Sequence, residues 1–134
     1  MNYKPGYYLA FVLSKESRDE LIKLFPPSFD RVICHHVTIA FNLDEGMFDS
    51  IVDTFGEHPK VVATGYLVGQ NLECFTVEIN GSHRLILNGQ RFHITHSLQA
   101  PAKPVDSNKL ITNSKEPNRE INAELIGKLE MIKK

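Results

Sequence analysis

Two short runs of the chain carry the same pattern, and that repetition limits the possible folds more than any other feature of the sequence. Residues 35–41 read HHVTIAF and residues 92–98 read FHITHSL. Both runs are rich in Val, Ile, Thr and Phe, which favour β-strands, and each contains His-x-Thr. The sequence therefore predicts two similar strands, each displaying a histidine and a hydroxyl group.

Alternation along a strand assigns the residues of each run to one of two faces. The polar or small residues share one face: His36, Thr38 and Ala40 in the first run, and His93, Thr95 and Ser97 in the second. The bulky apolar residues share the other: Val37, Ile39 and Phe41, then Phe92, Ile94 and Leu98. His35 and His96 are expected to point away from the motif histidines. We predict that one face of each strand lines a site and the other packs in a core.

The remaining chain alternates predicted strands with two predicted helices. Residues 7–13 (YYLAFVL) form an apolar run typical of a buried strand. Residues 17–20 (SRDE) fit a capping box that opens a helix, which a proline pair then ends. Asp44 is a suitable N-cap for a second helix, closed by Gly56.

A β-rich stretch follows and leads to the second motif. Its predicted strands are residues 60–68, 72–79 and 84–87, with tight turns at Asn80-Gly81 and Asn88-Gly89. The tail, residues 121–134, fits either a strand or a helix. These elements predict an α+β fold.

Composition narrows the class of protein. Of 134 residues, 42% are hydrophobic and 23% charged, as in an ordinary soluble globular chain. A net charge of −1 argues against broad, charge-driven binding to nucleic acid, although a small nucleotide remains compatible. The chain has no run long enough to span a bilayer, and residues 1–6 lack the pattern of a signal peptide. Cys34 and Cys74 fall in predicted strands and are expected to be free, buried thiols. We predict one domain over residues 1–134, in the cytoplasm.

The paired motifs resemble those of the 2H phosphoesterase superfamily, whose motif is His-x-Thr/Ser followed by an apolar residue. Residues 36–39 match it fully, and residues 93–95 match it except that His96 stands at the apolar position. The superfamily includes RNA 2′,3′-cyclic phosphodiesterases, 2′-5′ RNA ligase-like proteins and phage anti-CBASS proteins that destroy cyclic-oligonucleotide signals. The resemblance implies two pseudo-symmetric β-rich lobes with outer helices around a central cleft. The segment between the motifs is short for the family, so a lobe that covers the substrate is expected to be reduced.

The residue types suit cleavage of a phosphodiester. Two imidazoles, His36 and His93, have ordinary pKa values near neutrality and can act as general base and general acid. The hydroxyls of Thr38 and Thr95 can hydrogen-bond the non-bridging phosphate oxygens. The attacking oxygen belongs to water or to a ribose 2′-hydroxyl, and the sequence leaves open which histidine is the acid. The scheme requires neither a metal nor another cofactor.

Three other residues are weaker candidates for substrate binding. Tyr8, on the first strand, can stack on a base or bind phosphate, or it can be a core residue. Ser107 and Asn108 follow the second motif and either line the cleft or form a plain turn.

Rival interpretations remain at this stage. Potential zinc ligands are Cys34, His35, His36, His93 and His96, but alternation separates the neighbouring histidines and no Cys-x-x-Cys pair exists, so no metal site is expected. A binding module that recognises a nucleotide without cutting it is a second alternative. For an enzyme, the substrate is a cyclic oligonucleotide, the preferred prediction, or an RNA end with a 2′,3′-cyclic phosphate or 2′-5′ linkage. Neither a membrane nor an extended duplex is expected as partner, and a phage-encoded chain would act in the host cytoplasm.

Overall fold

The computed structural model of the protein describes residues 1–85 and 89–134. Within that part, two antiparallel sheets and three α-helices confirm the predicted α+β class. The strands are β1 (Tyr7–Leu13), β2 (Arg31–Val32), β3 (His36–Ala40), β4 (Val61–Val68), β5 (Leu72–Ile79), β6 (His93–Leu98), β7 (Arg119–Leu125) and β8 (Gly127–Lys133). The helices are α1 (Lys15–Leu24), α2 (Glu45–Phe55) and α3 (Ser107–Asn113). One sheet has the order β3-β1-β8 and the other β2-β6-β5-β4-β7.

A shared hydrophobic core joins the two sheets on one side. It takes side chains from both sheets and from the first two helices, including Leu9, Phe11, Leu21, Ile51, Phe75, Val77 and Ile94. A smaller cluster lies on the opposite face of the larger sheet, where α3 contributes Leu110 and Ile111. The two sheets therefore form one packed unit on the core side, and their other faces are available to line a site.

The segment from β2 to β3 connects the sheets directly. Arg31 and Val32 pair with β6, and the amides of Ile33 and Cys34 donate to the carbonyls of His96 and Thr95 at 2.9 Å each. The chain then turns, with Cys34 at a φ of 37°, and continues as β3 beside β1. Because one continuous segment pairs first with β6 and then with β1, the two motif strands become neighbours.

Each motif strand contains a β-bulge one residue beyond its threonine. In the β1–β3 pair, Leu9 faces Ala40 and Ala10 faces Thr38, so Ile39 has no partner. In the β5–β6 pair, Glu73 faces Ser97 and Cys74 faces Thr95, leaving His96 without one. An extra residue in one strand changes which face the following residues occupy.

The bulges overturn part of the face assignment from simple alternation. Ala40, expected beside the motif histidine, is buried in the shared core, whereas Phe41 is 50% exposed. Ser97, expected beside Thr95, instead hydrogen-bonds the buried Glu73. Leu98, expected on the core side, packs in the smaller cluster on the other face. The predicted faces hold through Ile39 in the first run and through His96 in the second, and they are wrong for the residues that follow.

The predicted strand at residues 7–13 and the N-cap at Asp44 are both confirmed. The side chain of Asp44 accepts a hydrogen bond from the Met47 amide at 2.8 Å. The capping box at residues 17–20 is wrong, because Ser14 caps α1 and accepts from the Ser17 amide at 3.1 Å. Ser17 is buried and its hydroxyl accepts from the Ile126 amide at 2.7 Å, so its side chain has a tertiary partner.

The second half of the chain contains both strands predicted before residue 80. The strands at 60–68 and 72–79 are present as β4 and β5, and the tail forms two strands, β7 and β8. The predicted strand at 84–87 and the turn at Asn88-Gly89 extend into residues 86–88, outside the described residues. Cys34 and Cys74 are free and fully buried, as expected. Within the described ranges, none of the helices has both the length and the apolar character needed to cross a membrane.

Candidate active site

A cleft of about 680 Å³ opens between the two motif strands. Its walls come from both sheets and from the segment just before α3. The described lining residues are Tyr8, Ile33, His36, Thr38, Phe41, Asn42, Gln90, His93, Thr95, Pro104, Val105 and Asn108. Both histidines and both threonines of the motifs thus face one cavity, together with Tyr8 and Asn108.

His36 lies at the start of β3 and has a partner at each ring nitrogen. Its Nε2 is 3.3 Å from the hydroxyl of Tyr8, and its Nδ1 is 3.0 Å from Nδ1 of His35. Burial is the main cause that lowers the pKa of His36 to about 4, and the nearby His35 and His93 contribute to the same shift. His36 is therefore neutral at pH 7 and able to accept a proton.

His93 lies at the start of β6, and a backbone carbonyl fixes the orientation of its ring. Its Nδ1 donates to the carbonyl of Arg91 at 3.0 Å, so Nε2 is the ring nitrogen that is not used in this bond. Burial lowers the pKa of His93, and the bond to the Arg91 carbonyl partly opposes that effect. The carbonyl favours the protonated imidazolium, so the environment of His93 supports a proton donor better than that of His36 does.

The two threonines differ in how their hydroxyls are held. Thr38 is half-buried and lines the cleft. Thr95 is more deeply placed, and its hydroxyl lies 3.3 Å from the carbonyl of Pro104 and 2.9 Å from the hydroxyl of Ser107. A hydroxyl has one proton to donate, so Thr95 must turn that proton away from its present partner to bind a phosphate oxygen.

Ser107 occupies a different place from the one expected of a substrate-binding residue. It is fully buried and absent from the cleft lining, and its hydroxyl contacts Thr95. Asn108, the next residue, does line the cleft. These residues belong to α3 rather than to a plain turn, and a 3₁₀ turn at Pro104–Asp106 precedes them. Helical geometry explains why neighbouring residues point to different sides.

Two aromatic rings lie together at one end of the cleft. Tyr8 and Phe41 have ring centroids 5.2 Å apart, and the centroid of Tyr8 is 5.9 Å from that of His36. Phe41 is half exposed although it is a large apolar residue. An exposed aromatic surface beside polar groups is suited to contact a planar, partly apolar ligand.

Sequence reasoning missed several lining residues. Phe41 escaped because the bulge at Ile39 reverses its face. Asn42, Gln90 and Val105 lie in connections between elements, where no periodic pattern assigns a direction to a side chain. The described lining contains no Lys, Arg, Asp or Glu, so its titratable groups are two imidazoles and a phenol.

The flanking histidines depart from expectation in one case. His35 does not point away from His36: the rings meet edge to face with centroids 5.2 Å apart. Strand β3 begins only at His36, after the turn at Cys34, so alternation does not apply to His35. His96 points away from the cleft as expected, fully buried, with Nε2 2.6 Å from the carbonyl of Phe25. Among the described residues, no three His, Cys, Asp or Glu side chains are grouped to hold a metal ion.

Comparisons with known proteins locate this fold among solved structures. No protein-family model matches the chain, and no curated protein matches it. The crystal structure of a fungal RNA kinase is similar, with a TM-score of 0.57 and 14% sequence identity. The match covers 100% of this chain and 47% of that one, so the chain spans about half the length of its structural neighbour. At this identity, the similarity extends to the fold alone.

Proposed function

We propose that the protein is a phosphodiesterase that cleaves a nucleotide phosphodiester with a pair of histidines as acid and base. The observation that carries this proposal is the convergence of both His-x-Thr motifs on one cleft. A general acid and a general base must reach the same reacting group, and two imidazoles in one cavity meet that requirement. The similarity to a protein named as an RNA kinase supports the broader class, an enzyme that processes RNA or nucleotides.

The surroundings of the histidines suggest which is base and which is acid. His36 is held neutral by burial and by neighbouring imidazoles, so we assign it as the base. When its Nδ1 donates to His35, its Nε2 carries the lone pair. That lone pair faces the Tyr8 hydroxyl in this structure and can accept a proton from a nucleophile once the hydroxyl turns away. His93 is assigned as the acid because the Arg91 carbonyl favours its protonated form.

The reaction then proceeds as one in-line displacement. His36 removes the proton from the attacking hydroxyl, which forms the new P–O bond. The bond from phosphorus to the leaving oxygen breaks, and His93 gives its proton to that oxygen. The pair ends with His36 protonated and His93 neutral, and exchange with solvent restores both. The negative phosphate also raises the pKa of His93 once bound, which favours the acid form in the complex.

The threonines and the aromatic pair hold the substrate in this scheme. The hydroxyls of Thr38 and Thr95 donate to non-bridging phosphate oxygens and fix the line of attack. The Tyr8–Phe41 pair offers its exposed surface to a nucleobase, since aromatic stacking tolerates every base. Asn108 adds an amide at the opposite wall.

For the substrate class, we favour a small cyclic oligonucleotide. The absence of lysine and arginine from the described lining, with a net charge of −1, gives no basic track for a long RNA. An RNA end carrying a 2′,3′-cyclic phosphate is the second candidate, which the name of the structural neighbour favours.

A substrate panel in the presence of EDTA tests the proposal. We expect cyclic oligonucleotides to be cut at least as fast as RNA cyclic-phosphate ends, with turnover unaffected by the chelator, since histidines perform both proton transfers. Product formation is followed by chromatography, and the salt dependence of KM is measured in parallel. Activity lost in EDTA and restored by zinc or manganese would place the protein among metallohydrolases. A steep salt dependence with preference for long RNA would select the RNA candidate.

The pH dependence of kcat/KM should be bell-shaped with an acidic maximum. On the acidic side, activity falls below about pH 4 because His36 becomes protonated. On the alkaline side, activity falls as His93 loses its proton, and because the pKa of His93 is lowered, this occurs below the ordinary histidine pKa of 6.5. The profile reports two macroscopic titrations of the coupled pair. Initial rates measured from pH 3.5 to 8.5 give this pH dependence of kcat/KM.

The His35→Ala variant tests which group is responsible for the acidic limb of that profile. His35 is one of the groups that lower the pKa of His36, so its removal should raise that pKa. The acidic limb of the profile should then shift to higher pH, and the alkaline limb should keep its position. A wild-type profile that is flat between pH 5 and 8, or acidic limbs that coincide in the two proteins, would contradict the assignment of His36 as base.

A further inference from the structure

A second cavity, of about 330 Å³, lies on the larger sheet beside α3. Its lining includes Thr64 of β4, Thr76 of β5, and Arg91 just before β6. Lys115, at its edge, comes from the segment after α3. None of these residues has a role in the cleavage scheme through its side chain.

The second cavity adjoins the catalytic cleft through His93. Thr76 is the direct cross-strand partner of His93, and side chains directly opposite in antiparallel strands lie on the same face. Arg91 stands two residues before His93, and its carbonyl accepts the bond from His93 Nδ1. The backbones of His93 and of Thr76, which lines the second cavity, are therefore one strand spacing apart, roughly 5 Å.

In the part of the chain that the structure describes, one polar group of a residue that lines the cavity has no partner. Nε of Arg91 is buried and has no hydrogen-bond partner within the described ranges. Burial lowers the pKa of Arg91, and the nearby Arg84 lowers it further, whereas Glu78 acts in the opposite direction. A partly buried guanidinium beside another cation is stabilised by an anion, and its planar donors suit a phosphate.

Two hydroxyls of the cavity lining lie beside a glycine. Thr64 Oγ1 lies 3.1 Å from Thr76 Oγ1. Residue 65 is glycine, and a Cβ there would come within 2.6 Å of Thr76 Oγ1 and 3.1 Å of Pro117. The missing side chain leaves space in front of the hydroxyl. The charged residues at the mouth, Lys115, Glu116 and Glu120, are exposed, so solvent screens them more than it screens Arg91.

We propose that this cavity binds a second phosphate of the same nucleotide chain whose scissile phosphate lies at His93. The inference rests on the proposed function and adds to it a second phosphate subsite, which fits a nucleotide with at least two phosphate groups. Arg91 supplies the charge, and Thr64 and Thr76 supply neutral hydrogen bonds. A mononucleoside cyclic phosphate fills only the catalytic cleft.

The test compares two stable probes by isothermal titration calorimetry: a nucleoside 3′,5′-bisphosphate and the matching 3′-monophosphate. Neither contains a phosphodiester, so binding is measured without cleavage. Wild-type protein should bind the bisphosphate at least about tenfold more tightly, since a hydrogen bond to a charged group contributes that much. Arg91→Met should bring the affinity ratio close to one, and Arg91→Lys, which keeps the charge but not the planar donors, should give an intermediate ratio.

Arg31→Met is the matched control, because Arg31 is an exposed arginine that lines neither cavity. It removes the same charge and should leave the affinity ratio at the wild-type value. A wild-type ratio near one, or a ratio retained in Arg91→Met protein with an unchanged melting temperature, overturns the second subsite. Failure of the proposed function gives a different result: no phosphodiester is cut, whereas the affinity ratio still reports whether the subsite exists.

Discussion

His36→Ala and His93→Ala proteins are each expected to lose about 10²–10⁴-fold in kcat/KM, the usual contribution of a general acid or base. The reason is that each imidazole handles one of the two protons that move as the phosphodiester is cleaved. The double variant should be little slower than either single variant, because both groups act on one transition state. Initial rates on the best substrate of the panel, with the melting temperature of each protein, provide the measurement.

His83→Ala is the matched control for these variants. His83 is exposed and absent from the cleft lining, so the same substitution there should leave the rate within about twofold, as expected for a surface change. If folded His36→Ala or His93→Ala protein retained a large part of the wild-type rate, the acid-base assignment would be wrong. Effects of the two substitutions that multiply fully would show that the histidines act in separate steps.

Glu73→Ala should lower the free energy of unfolding by about 3 kcal/mol or more, because several buried donors lose their acceptor and each unsatisfied group costs about 1–3 kcal/mol. Glu73 is fully buried, and its carboxylate accepts from the Ser28 amide at 2.7 Å and from the hydroxyls of Tyr66 and Ser97. These bonds connect the segment after α1 to β4, β5 and β6. Urea denaturation at pH 7 measures the loss.

Glu73→Gln, of nearly the same shape, isolates the charge. Burial raises the pKa of Glu73, but the hydrogen bonds from Ser97, Tyr66 and Ser28 together hold it below its ordinary value of 4.5. The stability that the carboxylate contributes is thus present above pH 4.5 and is lost as pH falls through the folded-state pKa. The difference in unfolding free energy between wild type and Glu73→Gln should shrink in that acidic range. A difference independent of pH would mean that the hydrogen bonds lost with the second carboxylate oxygen, not the charge, account for the effect.

Local sequence patterns predicted much of the fold and the four motif residues of the cleft, because hydrophobic periodicity and helix capping depend on residues that are close in sequence. They identified β1 and β5 at their correct bounds and the Asp44 cap of α2. They assigned His36 and Thr38 to the same face, where the structure has them lining one cavity. The sequence therefore suffices wherever pairing is regular.

The errors have a common physical origin in tertiary pairing. A bulge depends on how the partner strand aligns, so the reversal at Phe41 has no signal in its own strand. His35 meets His36 because the chain turns at Cys34 to pass from one sheet to the other, which no local propensity records. The position of Ser107 after β6 is compatible with the cleft or with a plain turn, but the start of α3 directs its side chain to Thr95.

The segment that passes between the sheets also ties the two motif strands together close to their histidines. The amide of Cys34 donates to the carbonyl of Thr95. Cys34 lies two residues before His36, and Thr95 lies two residues after His93. Slow rocking of one sheet against the other would hinge at this bond, so the far rim near Phe41 can open and close while the histidines keep their separation. If the proposed reaction takes place here, we expect a variant that loosens the rim to change the rate of product release before it changes the chemical step.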